Sequence, residues 1–461
     1  MCGIVGIAKL NKQDTVDGLH LRQMLSMIRH RGPDEFGIYQ DTFVGLGSAR
    51  LSIIDLATGQ QPITNEDESC WIVFNGEIFN YIELRQELEI QGHHFTTQSD
   101  TEVILHLYEE YGVECLSHLN GQFALAIWDS RKERLFLGRD RMGIRPLFYT
   151  EQDGTLIFGS EIKAILAHPN VQAEIDSESL HQIFTVWTTL SPNTAFKNIV
   201  ELPPGHYLVA QNQSIHVMPY WELDFQGDTS TEITPKLISQ YREELQELLI
   251  DATTIRLRAD VPVGAYLSGG LDSSIITSII RHYTSNRLDT FSITFDDPDF
   301  DESSYQQQMV DLIGTQHQIT HTTQQAIGDI FPDVIWHTEI PILRTAPAPM
   351  YFLSKLVNDN HYKVVMTGEG ADEFFGGYNI FKETMVRRFW AKQPESEIRP
   401  LLLQKLYPYL ASSSRNTAFF QAFFKQNLSD THLNHYSHIL RWKNTERLKR
   451  FLAPDVRDMT V

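Results

Sequence analysis

The sequence has few of the residues that crosslink a chain or anchor it in a membrane. Cysteine occurs only as Cys2, Cys70 and Cys115 in 461 residues. So sparse and odd a set excludes a disulfide framework and suits a reducing compartment. Structural zinc is not expected either. No apolar run approaches the roughly 20 residues that span a bilayer. Met1-Cys2-Gly3-Ile4-Val5-Gly6 has no basic segment leading into an apolar core, so a cytoplasmic protein is expected. Positive charge is scarce as well: 38 Lys and Arg against 59 Asp and Glu leave a formal charge of −21. Such a surface repels polyanions and no basic face compensates, so neither nucleic acid nor membrane is expected as a partner. Internal repeats and low-complexity tracts are also absent.

What is present is the composition of a soluble globular protein, 42% hydrophobic and 21% charged, in a chain too long for one ordinary domain. In the first two hundred residues, short runs such as Trp71-Ile72-Val73-Phe74, Phe123-Ala124-Leu125-Ala126-Ile127-Trp128 and Arg134-Leu135-Phe136-Leu137 read as strands. Residues 80–90 and 101–111 carry apolar residues at three- and four-residue spacing and read as helices. The expectation for residues 1–210 is an α+β domain of helices layered on sheets. Residues 211–234 are polar and turn-forming, which suits a linker. Beyond them strands are expected at 261–267, 289–295 and 362–367, a helix at 273–283, and helical stretches between. That alternation predicts an α/β domain over residues 235–461 with a doubly wound parallel sheet.

Cys2 is the first residue that suggests chemistry. Removal of Met1 would give it a thiol and a free α-amine with an unperturbed pKa of roughly 8, a nucleophile carrying its own base. A cysteine near a terminus can equally be incidental. The start Met-Cys-Gly-Ile-Val-Gly is followed by Arg31-Gly32-Pro33-Asp34, Arg50-Leu51-Ser52-Ile53-Ile54-Asp55, Asn75-Gly76-Glu77 and Ser99-Asp100-Thr101-Glu102. Together these resemble the glutaminase domain of N-terminal-nucleophile amidotransferases. The resemblance implies that Cys2 attacks the side-chain amide of glutamine while Asn75 and the N–H of Gly76 receive the oxyanion. It implies that Arg50 holds the α-carboxylate, and that Glu77 and Asp100 hold the α-ammonium. Without it each of these charges reads as a solvated surface residue, Asn75-Gly76 as a turn, and Arg31 and Asp34 as a structural turn. The runs Gly138-Arg139-Asp140-Arg141 and Phe158-Gly159-Ser160-Glu161-Ile162-Lys163 match the same family and read as scaffold or interface. Cys70 and Cys115 read as core thiols.

In the second half, Ser268-Gly269-Gly270-Leu271-Asp272-Ser273-Ser274 lies between an expected strand and an expected helix. Glycines let the backbone approach an anion there, and the N–H groups of a helix start point at it. The loop lacks the Gly-Lys-Ser/Thr ending of the common nucleotide loop and resembles that of ATP pyrophosphatases. The run Thr367-Gly368-Glu369-Gly370-Ala371-Asp372-Glu373-Phe374-Phe375-Gly376-Gly377-Tyr378 sets carboxylates among glycines, an arrangement that Mg²⁺ on phosphate oxygens would relieve. Read plainly it is an acidic surface loop. It is similar to the second signature of asparagine synthetases.

That resemblance, over residues 1 to about 390, implies ATP bound by Leu267, Ser268, Gly269, Gly270, Asp272, Ser273, Ile293, Thr367 and Gly368. It implies Mg²⁺ on Asp272 and Asp372, and Glu369 positioning the ammonia and accepting its proton. Arg344 is a further candidate for gripping aspartate or phosphate. The family's late basic segment near Pro-Phe-Leu-Asp is not found, which leaves Lys382, Arg387 and Arg388 as candidates to neutralise phosphate and suggests a second domain incomplete at its C-terminus. The expected reaction is ATP-dependent amidation of aspartate to asparagine with glutamine as donor, releasing AMP and pyrophosphate. The alternatives are an amidating enzyme of specialised metabolism acting on another carboxylate and a nonenzymatic regulatory homologue. Nothing in the residues decides between a monomer and a homodimer.

Overall fold

A computed structural model describes residues 2–11, 14–225, 232–407 and 414–457. The chain divides into two compact units. The first comprises Met1–Asp176, Leu190–Ile340 and Thr345–Thr367, and the second Ser177–Thr189, Pro341–Arg344 and Gly368–Val461.

The first unit contains two six-stranded sheets, antiparallel throughout. One runs in the spatial order Val200–Glu201, Phe148–Gln152, Thr155–Gly159, Gly3–Lys9, Val44–Arg50, Glu35–Gln40. The other runs Ser214–Pro219, His206–Gln211, Arg134–Arg139, Gly121–Asp129, Cys70–Ile78, Ile63–Thr64. Alternation of side chains along a strand explains the unbroken apolar runs, because both faces are covered. Ala124, Ala126 and Trp128 turn inward with Val73 against Ile4, Leu46 and Phe158 of the facing sheet. Phe123, Leu125 and Ile127 turn outward with Ile72 and Phe74 against Leu84, Val103 and Leu107. Those last residues belong to the helices Tyr81–Gln91 and Asp100–Tyr111, both at the expected positions. The helix Gly18–Met27 covers the outer face of the first sheet. The α+β reading of helices layered on sheets describes this region.

The expected linker differs at its start. Residues 214–219 form the return arm of a hairpin with His206–Gln211. Four of its six residues are exposed, and as an edge it reads as polar connection. Residues 226–231 of the same stretch lie outside the described residues.

A four-stranded parallel sheet follows in the same unit, in the order Gln316–Thr322, Asp289–Phe295, Val263–Tyr266, Val364–Met366. The chain starts at Val263–Tyr266, moves outward through two strands, and returns to the other side of the first. This is the doubly wound order expected, with its switch point outside the carboxyl ends of Val263–Tyr266 and Val364–Met366. Gln316–Thr322 was not anticipated. As an edge strand with the sequence Gln-His-Gln-Ile-Thr-His-Thr and mostly unburied residues, it carries almost no apolar signal.

The second unit is helical, with Trp390, Leu403, Tyr407, Phe424 and Tyr436 among its core side chains. Arg387 lies fully buried in it, donating to the carbonyls of Phe424, Gln426 and Tyr436. Among the described residues no helix is long and apolar enough to cross a membrane.

Candidate active site

Pairing of Gly3 with Ala49 sets Cys2 beside the turn that leaves Arg50. The N–H of Leu51 donates to Cys2 Sγ at 3.3 Å, and the thiol lies 3.6 Å from the Leu51 carbonyl. Arg31 Nε donates to the Cys2 carbonyl at 2.9 Å, and the Ser52 N–H donates to Asp34. The Arg31-Gly32-Pro33-Asp34 turn thus braces the nucleophile candidate. Gly32 is required there because a Cβ would fall 2.2 Å from the Ala49 backbone.

Arg50 is buried rather than solvated. Its Nη1 meets Glu35 at 2.7 Å, and its Nη2 donates to the carbonyls of Ile54 and Asp55 at 2.8 and 2.7 Å. Those bonds fix the guanidinium, whose five donors exceed these partners. Asp55 stiffens the same loop by accepting from Thr58 and Gln98.

Asn75 and Gly76 are not a turn. They sit inside the strand Cys70–Ile78 opposite Ala124 and Phe123, and a Cβ on Gly76 would meet the Gln122 carbonyl at 2.1 Å. The Asn75 side chain is fully buried, yet neither end of its amide finds a partner among the described residues. An orphaned amide costs on the order of 1–3 kcal/mol, which makes this one a donor in want of a ligand.

Glu77 and Asp100 are also buried. Ile78 N–H donates to Asp100 at 2.9 Å. Burial pushes the Asp100 carboxyl up to about 7, with the charge of Glu77 adding to the effect and the Ile78 N–H opposing it. Burial likewise raises Glu77, against the attraction of Arg145, whose Nη2 is 4.0 Å away. Cys2, Arg50, Gly76, Glu77 and Asp100 line one pocket, with Gln61 beside them. Its volume is about 20 Å³, room for about one water.

Arg145 was missed from the sequence. Its signal was the adjoining Arg139-Asp140 pair: Asp140 accepts the N–H groups of Phe123, Ile144 and Arg145, and Arg139 Nε donates to the Arg145 carbonyl. The Glu161-Ile162-Lys163 run is an interface within the unit. Glu161 pairs with Arg31 at 2.9 Å and Lys163 at 2.6 Å. Glu339 in turn accepts from the backbone N–H groups of Ile162 and Lys163. Although burial works against it, His30, Arg31 and Lys163 hold the Glu161 carboxyl far below the usual range. A second cavity, of about 420 Å³, opens beside Arg31 and Glu161 and is lined also by Val334, Met350 and Tyr351.

The Ser268–Ser274 loop leaves the strand Val263–Tyr266 and enters the helix Leu271–Tyr283, with Asp272 in its first turn. Gly269 has φ +84° and a Cβ there would lie 2.8 Å from Tyr305. Ser268 and Ser273 hydroxyls bond each other at 3.0 Å. Leu267 donates its N–H to Phe291 and accepts from the Ser292 hydroxyl, and Gln306 donates to the Ile293 carbonyl. Thr367 closes the first unit.

Gly368, Glu369 and Asp372 belong to the second unit. There Glu369 is exposed, and Asp372 lies in the first turn of Ala371–Phe375. Arg387 is not a phosphate ligand, since its guanidinium is spent on carbonyls in the core of that unit. Lys382 and Arg388 are exposed on the same helix. Arg344 lies 4.2 Å over the ring of Trp187.

Residues 1–221 match the family model of the glutamine amidotransferase domain, and residues 244–459 that of asparagine synthase. Glutamine-hydrolyzing asparagine synthetase 1 of Bacillus subtilis (strain 168) is 38% identical over 408 residues, covering 87% of this chain and 63% of the relative. Asparagine synthetase 3 of the same strain is 34% identical over 420 residues, covering 87% and 67%. Amidase chyE of Penicillium rubens is 34% identical over 412 residues, covering 84% and 60%. The chain therefore spans 60–67% of the length of these relatives.

The pocket predicts a pH dependence. An α-ammonium favours ionised Asp100, whereas the empty pocket keeps that carboxyl protonated below about 7. Calorimetry of glutamine binding to a Cys2→Ala protein should show affinity falling below that pH, by up to about tenfold per unit, with proton release on binding. Asp100→Asn should bind weakly and lose the dependence.

Proposed function

As the chain belongs to the glutamine-hydrolysing asparagine synthetase family, we propose that it frees ammonia from glutamine beside Cys2 and uses ATP to amidate the β-carboxylate of aspartate. Asparagine, glutamate, AMP and pyrophosphate are the products. The observation that carries the first half is the convergence of Arg50, Glu77 and Asp100 on the pocket of Cys2. Those charges complement both ends of a free amino acid. Cys2 Sγ attacks the side-chain amide carbon, and the amide of Asn75 with the N–H of Gly76 meets the oxygen that takes up the charge. Arg50 orients the substrate through its carboxylate, while the two acids anchor its ammonium and so disfavour ligands that lack one.

The second half rests on family membership and on the glycine loop at the switch point of the parallel sheet. Ammonia is to be kept unprotonated on its way there, because ammonium is no nucleophile. Aspartate is adenylated by ATP, with pyrophosphate leaving, and ammonia then displaces AMP from the acyl carbon. Asp272, an oxygen donor in the first turn after that loop, fits Mg²⁺. The family pattern carries the same role to Asp372, and that of receiving the ammonia proton to Glu369. Bound Mg²⁺ supplies neutralising charge to the phosphates of ATP. The reading also assigns a reducing, cytoplasmic setting, in which the free thiols of Cys2, Cys70 and Cys115 persist.

Two substitutions separate the halves. Cys2→Ala should lower glutamate formation by about a thousandfold or more, as loss of a covalent nucleophile does, while ammonia-dependent amidation continues. A parental rate of glutamine hydrolysis would remove Cys2 from the chemistry. Asp272→Asn should eliminate acceptor-dependent pyrophosphate release and spare glutaminase activity. That release is best measured across a panel of carboxylic acids. Preference for an acid other than aspartate would favour the alternative, an amidating enzyme of specialised metabolism acting on another carboxylate, and formation of ADP would sink the pyrophosphatase reading.

A further inference from the structure

His93, just beyond the helix Tyr81–Gln91, and His106, within the helix Asp100–Tyr111, face each other through their Nδ1 atoms at 3.1 Å. Their other ring nitrogens both face carboxylates. His93 Nε2 lies 2.9 Å from Glu110, and His106 Nε2 lies 3.9 Å from Glu102. Glu102 is itself held by the N–H and hydroxyl groups of Thr96 and Thr97 at 2.6 to 2.8 Å.

The Nδ1 atoms of His93 and His106 and one oxygen of Glu109 converge on one point. Their lone pairs repel unless a proton or a metal cation lies among them. Carboxylate–histidine pairs of this kind orient metal-bound imidazoles. Two further donors adjoin. Glu109 lies 2.7 Å from His106 Nδ1 and 3.7 Å from His93 Nδ1, with its other oxygen fixed by Asn65 at 2.7 Å. Glu66 completes a group with the two histidines whose ligand atoms all lie within 4.8 Å. The separations of 3.1, 2.7 and 3.7 Å bracket the roughly 3.3 Å edge of a tetrahedron with bonds of about 2.0–2.1 Å.

We propose that His93, His106 and Glu66, with Glu109 adjoining the two rings, form a binding site for a divalent first-row transition metal of the Zn²⁺ class. Two imidazoles with carboxylates favour such ions over Mg²⁺ or Ca²⁺. The sequence argued against structural zinc by counting thiols, but this donor set contains none.

The site is separate from the Cys2 pocket. His106 is six residues along the helix from Asp100, about 9 Å at 1.5 Å per residue. Its role is structural. The metal ties the chain after Tyr81–Gln91 and the loop of Glu66 to the helix whose first residue, Asp100, lines the pocket.

The test uses the whole chain with Cys2→Ser to remove a competing thiol, stripped by a chelator and dialysed. Titration with Co²⁺ should give the visible bands of a tetrahedral N/O site at one equivalent. Zn²⁺ should displace Co²⁺ and raise Tm with its concentration. His93→Ala, at a half-buried position, should weaken Zn²⁺ binding by about a hundredfold or more, and Glu110→Gln by about tenfold through the ring it orients. His106 is buried, so His106→Asn would mix folding with binding, and His93→Ala carries the argument. Equal binding by the parent and His93→Ala would overturn the site. So would a stripped protein that takes up no stoichiometric Co²⁺, in which case a proton alone separates the rings.

Discussion

The pocket beside Cys2 keeps two carboxyl groups out of water, and burial outweighs the cations that attract them. Glu77 and Asp100 are both buried, Arg145 stands 4.0 Å from Glu77, and Arg50 is pinned by Glu35 and two carbonyls. Burying an ionised carboxylate costs several kcal/mol unless it is paired, and the chain relieves this by making the acids harder to ionise. The surrounding architecture holds them there against that cost. Gly76 lets two strands approach closely enough to carry Glu77 inward. Ser99 caps the helix that begins at Asp100 by accepting from the Thr101 N–H, and Asp140 gathers N–H groups to aim the turn that bears Arg145.

How much of this was readable in advance depended on whether a residue's job is local. Strands buried on both faces announce themselves as runs such as residues 123–128, and helices packed on one face as spaced apolar residues. Both lie where the sequence put them. Two edge strands did not, because an edge needs little apolar surface: Ser214–Pro219 read as linker and Gln316–Thr322 as nothing. The site divides similarly. Arg50, Asn75, Glu77 and Asp100 were legible through short motifs that resemble a known family, whereas composition alone made them surface charges. Arg145 reaches Glu77 from a turn organised by Asp140, a relation that spacing does not encode. Arg387 shows the opposite failure, since a basic residue near an acidic loop suggested phosphate and the packing of Tyr436 and Phe424 used it otherwise.

Arg31 links the backbone of Cys2 to the wall of the larger cavity. One edge of its guanidinium holds the Cys2 carbonyl at 2.9 Å and another meets Glu161 at 2.9 Å, on the wall of the larger cavity. A charge this constrained fixes the spacing between a small polar pocket and a roomier chamber, with Lys163 and Glu339 continuing the ion-pair chain. Arg and Lys are not interchangeable at such a position, because only a rigid planar fork serves both partners at once.

The wall of residues 51–55 is tied at both ends to the start of the parallel sheet. Asp260 donates its N–H to the Ile53 carbonyl at 2.9 Å, its carboxylate accepts from the Asp55 N–H at 2.7 Å, and Lys363 grips Asp34 at 2.6 Å. The break between residues 221 and 244, where the two family models part, is therefore not a seam of cooperativity. A fragment cut there would carry every residue of the Cys2 pocket but lose the Asp260 partner of Ile53 and Asp55. The unit that each family model matches and the unit of local unfolding have different borders in this chain.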